Sequence, residues 1–201
     1  MSGMDPSTFW MAVKAGYHYQ YMFNTLQVNN GNGTFSDLGQ LAGISKTDWS
    51  WSPLFADLDN DGWKDLLVTN GYRRDTRDND FNKNNERQGQ DRKKMSVDEF
   101  LALIPTSKLR DYLYQNNGDL TFSNVTEEWG FREAANSNGA AYADLDLDGD
   151  LDLIINRQDE PSVIYENHAV QQGHSNYLRI ALEGAGGAMA MGAKVTVTTS
   201  D

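Results

Sequence analysis

Cysteine is absent from the 201 residues, which removes any disulfide framework and suits an exported bacterial protein and a cytosolic one equally. Histidine is scarce. His18, His168 and His174 show no metal-ligand spacing, and neither a G-x-S-x-G elbow nor an H-E-x-x-H helix occurs. No run of about 18 apolar residues is present, so nothing here is read as spanning a membrane. Positive charge is short as well: 17 Lys and Arg face 29 Asp and Glu, for a net charge of −12. That balance argues against nucleic acid or an anionic membrane surface as partner. The first residues lack the basic segment, apolar stretch and cleavage site of a signal peptide, as an internal piece of an exported protein would. The segment Gly184-Ala-Gly-Gly-Ala-Met-Ala-Met-Gly192 fits neither G-x-G-x-x-G nor a Walker A loop, because Met189 and Ala193 stand where glycine or lysine is needed. It reads as a loop between two strands.

What the chain does have is acid in a fixed pattern. Asp57-Leu-Asp-Asn-Asp-Gly-Trp-Lys-Asp65 and Asp144-Leu-Asp-Leu-Asp-Gly-Asp-Leu-Asp152 both follow D-x-D-x-D-G-x-x-D. Carboxylates about 5 Å apart at an effective dielectric of about 20 repel by roughly 3 kcal/mol a pair, so such loops converge only around a cation. The donors are hard oxygens, which points to Ca²⁺ or Mg²⁺ and away from zinc, copper or iron. Calcium accepts the six to eight oxygens of a flexible loop more readily. The expected ligands are Asp57, Asp59, Asp61, the Trp63 carbonyl and Asp65 in one loop, and Asp144, Asp146, Asp148, the Asp150 carbonyl and Asp152 in the other. Gly62 and Gly149 permit the sharp turn, and the Asp150 side chain is expected to point away. An EF-hand would need Glu at position 12, where Val68 and Ile155 stand. The exits Leu66-Leu-Val-Thr and Leu153-Ile-Ile-Asn read as buried strands.

The loops begin 87 residues apart, and that offset also places Asn29-Asn-Gly31 on Asn116-Asn-Gly118, Thr34-Phe-Ser36 on Thr121-Phe-Ser123, and Gly43 on Gly130. Each unit reads as a hairpin, a connection and a strand-loop-strand site. A third copy starts at Val163-Ile-Tyr-Glu-Asn167. Four-stranded units in series predict β-propeller blades, which cannot bury their faces alone. One or two blades do not close a ring, so the chain is expected to be a fragment.

Residues 71–111 interrupt the period. The polar stretch Arg73 to Glu86 is read as a loop, and Ser96, with Glu99 three residues on and Pro105 as stop, predicts a capped helix that covers a blade edge. Ser7 to Gly16 predicts a further short helix.

The pattern D-x-D-x-D-G-x-x-D-[LI] before a buried strand, preceded by N-N-G-x-x-T-F, resembles the FG-GAP or VCBS repeat over residues 22–167. Asn176 to Gly184 with Gly192 to Thr198 resembles the opening of an ASPIC/UnbV domain. The resemblance implies an all-β partial propeller with a short helical insertion. Its parts are an N-terminal helical segment (1–21), a first repeat (22–70), the insertion (71–111), a second repeat with the start of a third (112–167), and a truncated ASPIC/UnbV-like start (175–201). It further implies two Ca²⁺ sites, no catalytic residue, and adhesion to a protein or glycan at the cell surface. Loops with few dedicated ligands bind calcium at about 10⁻⁴ to 10⁻³ M, which fits an exported location. A lectin is the alternative, and a carbohydrate-active enzyme a more distant one. Trp49, Trp51 and Trp129 are expected to pack between blades, while Trp63 stands open to a ligand.

Overall fold

Apolar and β-branched residues fall in short runs separated by Gly, Asn and Asp turns, and the computed structural model pairs these runs into antiparallel sheets. Residues 6–19, 21–76, 78–87, 95–173, 177–187 and 190–198 are described. Among them the strands are β1 Gln27–Asn29, β2 Phe35–Asp37, β3 Ser50–Ala56, β4 Asp65–Asn70, β5 Leu109–Arg110, β6 Tyr112–Asn116, β7 Phe122–Asn124, β8 Ala134–Ala135, β9 Ser137–Ala143, β10 Asp152–Arg157 and β11 Val163–Tyr165. Helices are few: α1 Pro6–Lys14, α2 Asn79–Arg87 and α3 Val97–Leu103. The order β3-β4-β6-β7 forms a four-stranded sheet and β9-β10-β11 a three-stranded one, with the hairpins β1-β2 and β5-β8 beside them. No closed ring forms among the described residues.

Strand β4 explains why these sheets stack. All six of its residues are buried, so both of its faces are covered. Leu66 and Val68 join Ala42, Ile44 and Tyr114 on one side. Leu67 lies on the other with Leu113, Phe131, Leu153 and Ile155, which places the second sheet against the first. Trp129 packs on that inter-sheet cluster. Trp49 and Trp51 instead stack on Tyr72 at 4.8 and 6.0 Å between ring centroids.

The 87-residue repeat recurs bond for bond. Asn30 N donates to Thr34 O and Asn117 N to Thr121 O, both at 3.0 Å. The Asn30 and Asn117 side-chain amides reach Thr34 Oγ1 and Thr121 Oγ1, both at 2.9 Å. Sheets and repeats are nevertheless out of phase. The first sheet takes β3 and β4 from one repeat and completes itself with β6 and β7, the hairpin of the next. A sequence unit beginning at the hairpin therefore straddles two sheets. The third copy is shorter-spaced: Val163–Tyr165 pairs with β10 as Tyr112–Tyr114 pairs with β4.

The insertion departs from expectation in one respect. Its polar first part carries helix α2 where a loop was predicted. Arg73 to Glu86 contains no Gly or Pro, Asp78 accepts the Phe81 N–H at 2.6 Å as an N-cap, and Phe81 rests on Phe100 of α3 at 6.2 Å. Helix α3 forms with the predicted capping box between Ser96 and Glu99. Helix α1 ends at Gly16, which adopts φ 86°. There Tyr17 N bonds Ala12 O and Gly16 N bonds Val13 O, a Schellman closure. In the tail, no strand forms on either side of Gly184–Gly192 among the described residues, where Glu183 is a single bridge position and Ala185–Gly187 make a 3₁₀ turn.

At the far end of β4 a buried polar pin joins the sheets. Asp111 accepts Asn70 N–H and Ser137 O–H, both at 2.8 Å. Gly71 is required beside it, with φ 118° and Ala135 O only 2.4 Å from where a Cβ would stand. Burial raises the Asp111 carboxyl above its ordinary 3.8, against the lowering effect of Ser137 and Asn70. The folded state therefore holds its proton more tightly than the unfolded state. This group costs no stability below the ordinary carboxylate range, and its cost grows as pH rises through the folded value. Urea midpoints between pH 3 and 7 should fall for the wild type relative to Asp111→Asn as pH climbs. Parallel curves would refute this.

Candidate metal centres

Each acidic loop joins the first two strands of a sheet, β3 to β4 and β9 to β10, so the sheet fixes the two ends that the loop must connect. The turn is made the same way twice. Positions 4 and 6 are left-handed in both loops, with φ 56° at Asn60 and 94° at Gly62, then 67° at Leu147 and 103° at Gly149. Left-handed leucine costs about 1–2 kcal/mol, so the loop shape is held against local preference. Trp63 leaves the first loop exposed and lays its ring on the hairpin tip, its Nε1 3.2 Å from where a Gly118 Cβ would sit. Tyr177 covers the second loop, its ring 2.2 Å from the equivalent point at Gly149.

This turn brings three carboxylates of each loop together. One oxygen each of Asp57, Asp59 and Asp61 lie within 4.8 Å of one another, and so do those of Asp144, Asp146 and Asp148. Backbone N–H groups point into the first triad: Gly62 N reaches Asp57 Oδ2 at 3.0 Å and Trp63 N reaches Asp61 Oδ1 at 2.7 Å. Burial raises the Asp57 carboxyl, and the charges of Asp61 and Asp59 add to the effect.

Asp65 and Asp152 stand outside the triads. Asp65 spends both oxygens on the backbone, accepting Leu58 N–H and Asn116 N–H at 2.9 Å each. Asp152 does the same with Leu145 and Asn167, also at 2.9 Å. Each clamps its loop to the next strand. Burial pushes Asp65 up to about 6, against the lowering pull of the Asn116 and Leu58 N–H groups. Asp150 also stays out of its triad. Its side chain is fully buried, with Oδ2 taking the Val170 N–H at 3.1 Å.

Among the described residues two carboxylate oxygens here have no partner: Asp144 Oδ1 and Asp150 Oδ1 are buried and accept no hydrogen bond. A buried carboxylate oxygen left without a donor is costly and calls for a positive charge. With oxygen donors alone around it, that charge fits a hard divalent cation. Asp57, Asp59 and Asp61 would hold one such ion and Asp144, Asp146 and Asp148 another.

Several residues of this region carry no sign in the loop motif. The Gln115 amide donates to Asp59 Oδ2 at 2.7 Å, and Gln171 donates to Asp148 Oδ2. Asn116 and Asn167 each bond the position-9 aspartate through N–H and a loop carbonyl through the side-chain amide, Lys64 O at 3.0 Å and Leu151 O at 3.3 Å. Recurrence of Asn after a short strand was their only signal. The two loops also touch. Asn60 Nδ2 donates to Gly149 O at 3.1 Å, and Asn167 Nδ2 to Leu58 O at 2.6 Å.

No curated protein matches the chain. The FG-GAP-like repeat matches it at two places, residues 12–68 and 97–155. Each match ends in the strand that follows an acidic loop, and together they cover more than half of the sequence; the chain belongs to the FG-GAP-like repeat family.

Proposed function

We propose that this chain is part of a calcium-stabilised β-propeller that works outside the cell or at its surface as a non-catalytic scaffold binding proteins or glycans. The observation that carries the metal reading is the pair of orphaned oxygens, Asp144 Oδ1 and Asp150 Oδ1, beside one of two equivalent carboxylate triads. Calcium suits an oxygen-rich loop of this flexibility, and weak loops of this kind fill at extracellular calcium levels.

Unequal exposure of equivalent apolar residues supports a ring. Leu58 of the first acidic loop and Leu113 of the first sheet are 5% and 1% exposed, packed with residues of the second sheet. Their counterparts, Leu145 of the second acidic loop by the 87-residue offset and Ile164 of the second sheet by strand register, are 49% and 64% exposed. A further sheet of the same construction would cover them. Residues 175–201 are read as the opening of an ASPIC/UnbV-like domain from Asn176–Gly184 and Gly192–Thr198, and the repeats as VCBS-type.

Calorimetric titration of chelator-treated protein with CaCl₂ tests the metal reading. Two calcium ions per chain are expected, one in Asp144→Ala or Asp57→Ala, with magnesium binding more weakly. No heat attributable to calcium at millimolar concentration would overturn it.

A further inference from the structure

A cleft of about 780 Å³ opens between the two sheets, reaching from the surface beside the first acidic loop down to the inter-sheet core. Its volume lies in the range of small-ligand sites. The floor is apolar and partly aromatic, with half-buried Trp129 and Tyr165 set over the buried Leu113, Leu153 and Phe131. Phe131 and Tyr165 stack at 4.3 Å. The mouth is different. Glu128 and Glu166 stand on it in solvent, Asp59 and Asp61 of the first loop close one side, and among the described residues no Lys or Arg lines the cleft. His168 also stands at the mouth, with Nδ1 3.8 Å from Glu166 Oε1.

We infer that this cleft binds an amphipathic organic cation, an ammonium or guanidinium head carried on an apolar stem. The stem replaces water over the aromatic floor, and the head meets carboxylates at the mouth, the division that long cationic side chains adopt at any apolar surface with a wet rim. An anionic ligand would meet the carboxylates of Glu128 and Glu166 at the mouth. A neutral ligand would meet these carboxylates through hydrogen bonds alone, without the attraction of opposite charge. The net charge of −12 draws cations from a distance. The inference does not rest on calcium: ions in the loops would neutralise Asp59 and Asp61, while Glu128 and Glu166 lie outside both triads.

The test titrates the protein, with and without 2 mM CaCl₂, with phenethylammonium and with Nα-acetyl-lysine N-methylamide, following binding by NMR. Their neutral isosteres, 2-phenylethanol and Nα-acetyl-norleucine N-methylamide, and methyl glucoside are the controls. Each cation should bind more tightly than its isostere. The double variant Glu128→Gln/Glu166→Gln, altered only at exposed side chains, should weaken cation binding about tenfold through two rim contacts and leave the melting temperature unchanged. Tighter binding of the lysine derivative would identify a partner protein's side chain as the source, and of the free amine a small metabolite. Equal binding of the neutral isosteres, preference for the glucoside, no cation binding at millimolar concentration, or an unaffected double variant would each overturn the inference. Absence of calcium uptake would leave it standing.

Discussion

Asp65→Ala should unfold much of the protein whether or not calcium is present. Its two oxygens are the acceptors for Leu58 N–H and Asn116 N–H, and the residue is wholly buried. Each amide stranded without an acceptor costs about 1–3 kcal/mol. Together they remove a large part of the 5–15 kcal/mol, in round figures about 10, that holds a typical domain together. Asp152→Ala should behave alike through Leu145 and Asn167. Asp57→Ala should differ in kind, because Asp57 belongs to a triad and not to the clamp. Urea unfolding in chelator separates the two: Asp57→Ala should match the wild type there, and Asp65→Ala should not. A wild-type midpoint for Asp65→Ala would refute the clamp.

Calcium itself should move the melting temperature by a large amount. At a free concentration a hundredfold above the dissociation constant, one site adds about 2.7 kcal/mol and two add roughly twice that. For a chain of this size that corresponds to a rise of about 10–20 °C. The gain should not divide evenly between the loops. Asn167 is fixed by Asp152 in the second loop and donates to Leu58 O in the first, and Asn60 returns the contact to Gly149 O. Asp144→Ala should therefore weaken calcium at the remaining loop as well, and the double variant Asn60→Ala/Asn167→Ala should remove that influence. Identical melting curves in 10 mM CaCl₂ and in chelator would sink the prediction. Independent titration of the two loops would sink its second half.

What could be read in the sequence was local or periodic. Acid at positions 1, 3 and 5 with glycine at 6 showed the triads, because a tight turn and crowded charge leave a fixed spacing. The capping box at Ser96 and Glu99 is four residues long and equally visible. What could not be read was set by distant partners. Nothing near β4 says that it pairs with β6 across the insertion. Position 9 looks like another ligand in a string of aspartates. Only the N–H groups of Leu58 and Asn116, the first of them buried, reveal it as a clamp. Helix α2 went unread because its stretch is almost entirely polar and its one aromatic anchor, Phe81, meets Phe100 some twenty residues on.

The stem of the insertion carries a consequence for how such chains diversify. Tyr72 and Ser107 exchange both backbone hydrogen bonds at 2.8 Å, so everything between them enters and leaves through a single doorway. Asn116 and Asn167, which hold equivalent places, are only 51 residues apart, against 87 between Asn29 and Asn116. The sheet is thus indifferent to what hangs from that doorway, and closing a longer excursion there adds little entropy cost. Such a position can accept new appendages of many lengths while the architecture behind it stays the same.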